Sequence, residues 1–144
     1  MNSDKRIKIF LVDDDALYLK SLEIEFHQSG SFEIETYPTG EECIKNLNHD
    51  PAIIILDYHL DGIEKSAMNG IETLDKIKAS FPDLPVIMLS SQDKIEVAID
   101  CMHHKAFDYV VKSETAFLRI EKAIRTIQDM SKLQMQVQWY MDRM

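Results

Sequence analysis

The run Ile53-Ile54-Ile55-Leu56-Asp57 constrains this chain more than any other stretch. Four large apolar residues, three of them β-branched, follow one another with no polar alternation. A strand of that kind is buried on both faces. It reads as the central strand of a parallel sheet covered by helices on both sides, and it ends in a carboxylate. Open α/β sheets carry their chemistry beyond the carboxyl ends of the strands, where the strand order reverses. Asp57 is therefore the first candidate site residue, set against the plainer reading that it only opens a turn.

Other strands end in the same way. Residues 7–12 (IKIFLV) stop at Asp13-Asp14-Asp15, residues 85–89 form a second buried run ending in Ser90-Ser91, and residues 107–111 end at Lys112. Residues 32–37 alternate apolar with acidic side chains, as an edge strand with one wet face does. Between the strands, Tyr18, Leu19, Leu22 and Phe26 fall at helical spacing, and Gly30 follows them. Thr39 can cap a second helix carrying Cys43, Ile44 and Leu47. A third helix from Gly70 to Ser80 buries Ile71, Leu74 and Ile77, a fourth runs from Asp93 to about His104, and the last begins near Ser113-Glu114. Five strands alternating with five helices predict a doubly wound, flavodoxin-like (βα)5 parallel sheet of order 2-1-3-4-5, with an extended C-terminal helix. The connection over residues 58–69 is about twelve residues long, against the usual 2–6.

A chain of 144 residues makes one globular unit with a real core. Its formal net charge of -9 argues against direct binding of nucleic acid or an anionic membrane, both of which need a basic face. No apolar run approaches the roughly 18 residues of a membrane span. Cys43 and Cys101 lack metal-ligand spacing and sit at apolar helix positions, so buried free thiols are expected. With a polar start, Met1 to Arg6, these features predict a cytoplasmic protein.

In the predicted fold the strand ends bring Asp13, Asp14, Asp57, Ser90 and Lys112 to one edge. Like charges about 4 Å apart repel by roughly 4 kcal/mol per pair at an effective dielectric near 20. Three acids beside one lysine therefore call for a further cation, and carboxylates plus water suit Mg2+. A carboxylate can attack a phosphoryl group to give an acyl phosphate, and the phosphoryl oxygens then need neutralisation and positioning. The metal ion, Lys112 and the Ser90 hydroxyl can each take one oxygen.

Val12-Asp13-Asp14, Leu56-Asp57, Leu89-Ser90-Ser91 and Tyr109-Val110-Val111-Lys112 resemble the motifs of response-regulator receiver domains, over about residues 5–128. The resemblance implies a CheY-like receiver at residues 1–128, followed by a helical extension at 129–144. It implies that Asp57 is the phosphoacceptor, that Asp13, Asp14, Asp57 and the backbone carbonyl of His59 hold Mg2+, and that Ser90 and Lys112 bind the phosphoryl group. It implies a switch in which Ser90 moves toward the phosphate and Tyr109 turns inward, changing the surface of helix four, strand five and helix five. His59 and Gln92 stand where the family tunes the phosphoryl lifetime. The expected partner is a histidine kinase or a histidine phosphotransfer protein. Such a protein is no enzyme beyond its own phosphorylation and dephosphorylation.

The chain departs from the family in three places. Leu60-Asp61 replaces Met-Pro, and Asn69-Gly70 comes some five residues late, so residues 62–68 form an insertion beside the pocket, read most simply as inert surface. Ser113 replaces the proline after the lysine; a cis bond before a non-proline costs roughly 3 kcal/mol, so this bond is either trans or strained. Lys105 takes a position usually given to glycine, at a cost on the order of 1 kcal/mol if the backbone there is left-handed.

The plainer readings are a helix cap for Asp15, a core aromatic for Tyr109, a polar helix end for His103-His104, and solvated rings for His27 and His49. Met130, Leu133, Val137, Tyr140 and Met144 repeat at 3-4 spacing, a seam beyond the core stripe that predicts pairing with another copy, a fold-back, a lead into an output domain outside this chain, or a frayed end. The rival functions are a pseudo-receiver that acts as an interaction module without phosphate, and an aspartyl-phosphate phosphatase. The phosphatase needs a second acid two residues after its nucleophile, where this chain has His59.

Overall fold

The computed structural model of the protein describes residues 6–63 and 65–144. The first five residues of the polar start and Glu64 of the insertion lie outside the described residues. Five strands, β1 (Ile7–Val12), β2 (Phe32–Tyr37), β3 (Ile53–Asp57), β4 (Val86–Ser90) and β5 (Asp108–Val111), form one parallel sheet of order β2-β1-β3-β4-β5. The helices are α1 (Ala16–Ser29), α2 (Gly40–Lys45), α3 (Gly70–Ser80), α4 (Ile95–His103) and α5 (Ala116–Asp142), with a single 3-10 turn, Leu47–His49, after α2.

Alternation along the strands sorts the core into two layers. Phe10, Val12, Ile54, Leu56, Val86 and Met88 face Cys43, Leu74, Ile77 and Cys101 on one side. Ile9, Leu11, Ile53, Ile55, Ile87 and Leu89 face Leu22, Phe26, Ile120 and Ile124 on the other. Every residue of β3 and β4 is buried, as their unbroken apolar runs require. β2 is the half-exposed edge strand that its alternation predicts. Both cysteines are buried and free; burial pushes the thiol of Cys43 up to about 12 and that of Cys101 up to about 11.

Local chemistry sets the helix ends. The Asp15 carboxylate accepts the backbone N–H groups of Leu17 and Tyr18 to cap α1, and Gly30 closes it at φ 74°. Thr39 caps α2, and Asn69 with Glu72 forms a capping box on α3. Gly70 has no alternative: a Cβ there would stand 2.4 Å from the carbonyl oxygen of Asp57, so α3 starts hard against the end of β3. α4 begins later than the expected Asp93, because Lys94 occupies the N-cap without a side-chain hydrogen bond. α5 begins at Ala116 rather than near Ser113-Glu114. Lys105 is left-handed at φ 73°, and the Lys112–Ser113 peptide is trans.

The core stripe of α5 ends with Ile127, and every residue from Asp129 onward is exposed. Leu133, Val137 and Tyr140 thus project an uncovered apolar seam from a helix that continues to Asp142. Among the described residues no helix is long and apolar enough to cross a membrane.

Candidate functional site

Strand order reverses between β1 and β3, since β1 pairs with β2 on one side and β3 on the other. The connections leave in opposite directions there and open a crevice at the carboxyl ends. Asp13 and Asp14 follow β1 directly, Asp57 is the last residue of β3, Ser90 is the last of β4, and Lys112 follows β5. Register holds these ends level: Val12 lies beside Leu56, Asp57 beside Leu89, and Ser90 beside Val111. Backbone bonds extend the ladders just past the strands, with Tyr58 N–H on the Leu89 carbonyl and Lys112 N–H on that of Ser90, both at 2.8 Å.

One carboxylate oxygen from each of Asp13, Asp14 and Asp57 lies within 4.8 Å of the others. Asp13 and Asp57 are each only 3% exposed. The Lys112 ammonium stands 2.8 Å from Asp13 Oδ2 and 3.4 Å from Asp57 Oδ1, and lies 4.5 Å from the centre of the Tyr18 ring. Burial, reinforced by the Asp13 charge, raises Asp57 from an ordinary 3.8 to about 7; Lys112 and the backbone N–H of His59 pull the other way. Burial alone would depress Lys112, but the two carboxylates hold it above its usual range.

A single ammonium leaves this crevice with excess negative charge. Asp13 Oδ1 accepts the Asp15 N–H at 2.9 Å, while buried Asp13 Oδ2 has the Lys112 ammonium as its partner at 2.8 Å. Three converging carboxylates that share one ammonium fit a small divalent cation with oxygen ligands.

Ser90 is fully buried, and its hydroxyl accepts the Gln92 N–H at 3.0 Å. Gln92 is a junction: its side-chain nitrogen lies 3.0 Å from His59 Nε2, and its carbonyl accepts the Tyr109 hydroxyl. The residues expected to tune the pocket and the residue expected to switch are thus in one hydrogen-bonded chain. Tyr109 is half-buried against the same apolar layer as Tyr58.

A family model of the response regulator receiver domain matches residues 9–125. The chain belongs to that family. Two curated proteins illustrate the relationship. The luminescence regulatory protein LuxO of Vibrio campbellii is 33% identical over 81 residues, 56% of this chain and 17% of LuxO. The protein-glutamate methylesterase/protein-glutamine glutaminase of Clostridium acetobutylicum is 32% identical over 117 residues, 78% of this chain and 32% of that protein. The receiver chain therefore spans a third or less of the length of these relatives. Among solved structures, a CheY-like response regulator receiver domain protein from Methanospirillum hungatei superposes with a TM-score of 0.75 at 22% identity, covering 89% of this chain and 98% of that one. That likeness is one of fold.

Two contacts of the receiver site have no signal in the sequence. The backbone amides of Gly62 and Ile63 donate to Asp14 Oδ2 at 3.1 and 3.3 Å, so the insertion touches the acidic cluster instead of lying apart as inert surface. The Tyr18 ring under Lys112 looked like one more apolar position on α1. Of the histidines, His27 and His103 are exposed as expected. His104 bonds Asp75 at 2.7 Å and lies 3.6 Å from Asp100 at the end of α4. His49 is not simply solvated; its Nδ1 lies 2.7 Å from Glu35 Oε1, a carboxylate that also takes the Tyr37 hydroxyl.

Proposed function

We propose that this receiver accepts a phosphoryl group on Asp57 from the phosphohistidine of a histidine kinase or histidine phosphotransfer protein. A carboxylate oxygen of Asp57 attacks phosphorus, the P–N bond to the donor breaks, the imidazole nitrogen regains a proton, and an acyl phosphate forms. Lys112 and the Ser90 hydroxyl bind oxygens of the incoming group. Asp13, Asp14, Asp57 and the carbonyl of His59 would hold Mg2+, which when bound neutralises charge on the phosphoryl oxygens. The observation that carries this reading is the meeting of three carboxylates with one ammonium at the crevice between β1 and β3. The protein catalyses nothing beyond its own phosphorylation and dephosphorylation.

Ser90 and Tyr109 are the switch, and α4, β5 and α5 form the output surface. Ile95, Ile99, Met102 and Leu118 are exposed on α4 and α5, and support a protein-binding role there. His59 and Gln92 tune the lifetime of the phosphoryl group. Residues 1–128 act as the receiver unit and 129–144 as an extension through which two copies pair, since its seam is uncovered. Buried unpaired thiols suit a reducing cytoplasm. With its acidic charge, the protein does not bind nucleic acid or membrane directly.

The test is incubation with Mg2+ and acetyl phosphate, followed by intact mass. Wild type gains one phosphoryl group and Asp57→Asn gains none. A folded wild type that gains nothing from acetyl phosphate or from any histidine phosphodonor would leave the pseudo-receiver as the better reading.

A further inference from the structure

The connection after β3, which carries the insertion, is fastened on both sides. Leu60 is buried in the core, Gly62 and Ile63 place their amides on Asp14 Oδ2, and the Met68 amide donates to Glu41 Oε2 at 2.9 Å. The Ile63 side chain is 78% exposed, so apolar packing does not hold this turn; its backbone contact does. Gly62 permits the approach, because a Cβ there would already stand 3.2 Å from the same carboxylate oxygen. Glu41, in the first turn of α2, has no place in the acidic cluster.

We propose that the insertion positions Asp14 for the cation, with Glu41 as the anchor that holds the loop in place. This rests on the reading of Asp13, Asp14 and Asp57 as a Mg2+ site. Two amide donors on Oδ2 stop rotation of the carboxylate and set the direction of its other oxygen. They also spread part of the Asp14 charge, easing its repulsion with Asp13 and Asp57 while no cation is bound. Groups that orient a metal ligand in this way commonly matter tenfold to a hundredfold to metal affinity. Linkage runs both ways: if the ordered loop tightens Mg2+ binding, Mg2+ orders the loop by the same factor. Gly62, Ile63 and Glu41 are positioning residues and do not touch the reacting atoms.

The experiment is calorimetric Mg2+ titration of the full chain with backbone amide exchange read at Gly62 and Ile63. Wild type binds Mg2+, and the cation slows exchange at both amides. Glu41→Ala weakens binding about tenfold. Glu41→Gln, whose amide oxygen can still accept from Met68, restores most of it. Ile63→Pro, which removes a donor from an exposed turn without touching a helix, weakens binding likewise. Equal Mg2+ affinity in wild type, folded Glu41→Ala and Ile63→Pro overturns the positioning role and leaves the metal site standing. Faster exchange on adding Mg2+ also overturns it, by showing that cation and loop compete. A folded wild type that binds no Mg2+ overturns the metal reading and the loop's role with it.

Discussion

Replacing Asp57 with asparagine should make the metal-free protein more stable. Asp57 is a buried carboxylate held near Asp13, and the fold raises it from 3.8 to about 7. At about 1.4 kcal/mol per pH unit, ionising Asp57 inside the fold costs on the order of 4 kcal/mol more than in the unfolded chain. The sign follows from the raised value. Stability is intact below about pH 4, falls as the pH climbs toward 7 because the unfolded chain ionises first, and stays reduced above that. Asparagine mimics the protonated acid and escapes the loss. In EDTA at pH 8, guanidinium unfolding should show Asp57→Asn more stable than wild type by about 2–4 kcal/mol, a gain of roughly 6–12 °C in melting temperature. The advantage should shrink steadily toward pH 4. Added Mg2+ should narrow it from the other side by stabilising wild type. An asparagine variant no more stable at pH 8, or one whose gain does not change with pH, would refute the reasoning.

Lys105→Gly should raise stability by about 0.5–1 kcal/mol in thermal unfolding, because relief of the left-handed cost exceeds glycine's entropic penalty; Lys105→Ala should not. His59→Ala should shorten the aspartyl-phosphate lifetime, followed by intact mass over time, because the imidazole at the pocket mouth hinders water; an unchanged decay would remove His59 from that role. Truncation after Gln128 should leave the melting temperature of the folded unit within a degree or two, since that segment is exposed throughout. The same truncation should abolish any dimer seen by light scattering; a monomer mass with and without the segment would remove the pairing proposal.

The strand ends were legible because burial on both faces leaves an apolar run that nothing else explains. β3 and β4 are fully buried, and the residue that closes each run, Asp57 or Ser90, lies at the site. Lys105 was legible as a residue in a glycine position, and its positive φ bears that out. The contacts of Gly62 and Ile63 were not legible, since a backbone amide is the same in every residue and these reach 48 and 49 positions back along the chain. The partnership of His49 with Glu35 was hidden for a related reason: both read as surface polar residues, and only the approach of the 3-10 turn to β2 joins them. The start of α4, expected at Asp93, was not legible, since the helix opens at Ile95 after an N-cap, Lys94, that makes no side-chain hydrogen bond to mark the boundary.

The two cysteines have a practical consequence. Cys43 and Cys101 are the chain's only thiols; both lie in the apolar layer between the sheet and α2 to α4, and burial keeps them protonated at neutral pH. To a maleimide or a spin-label reagent the folded protein should therefore behave as if it had no cysteine. A single cysteine introduced on the exposed turn at Ile63, or on α5 beyond Asp129, would take the probe alone. Distances between the insertion, the crevice and the projecting helix then become measurable in solution with the native core left unaltered.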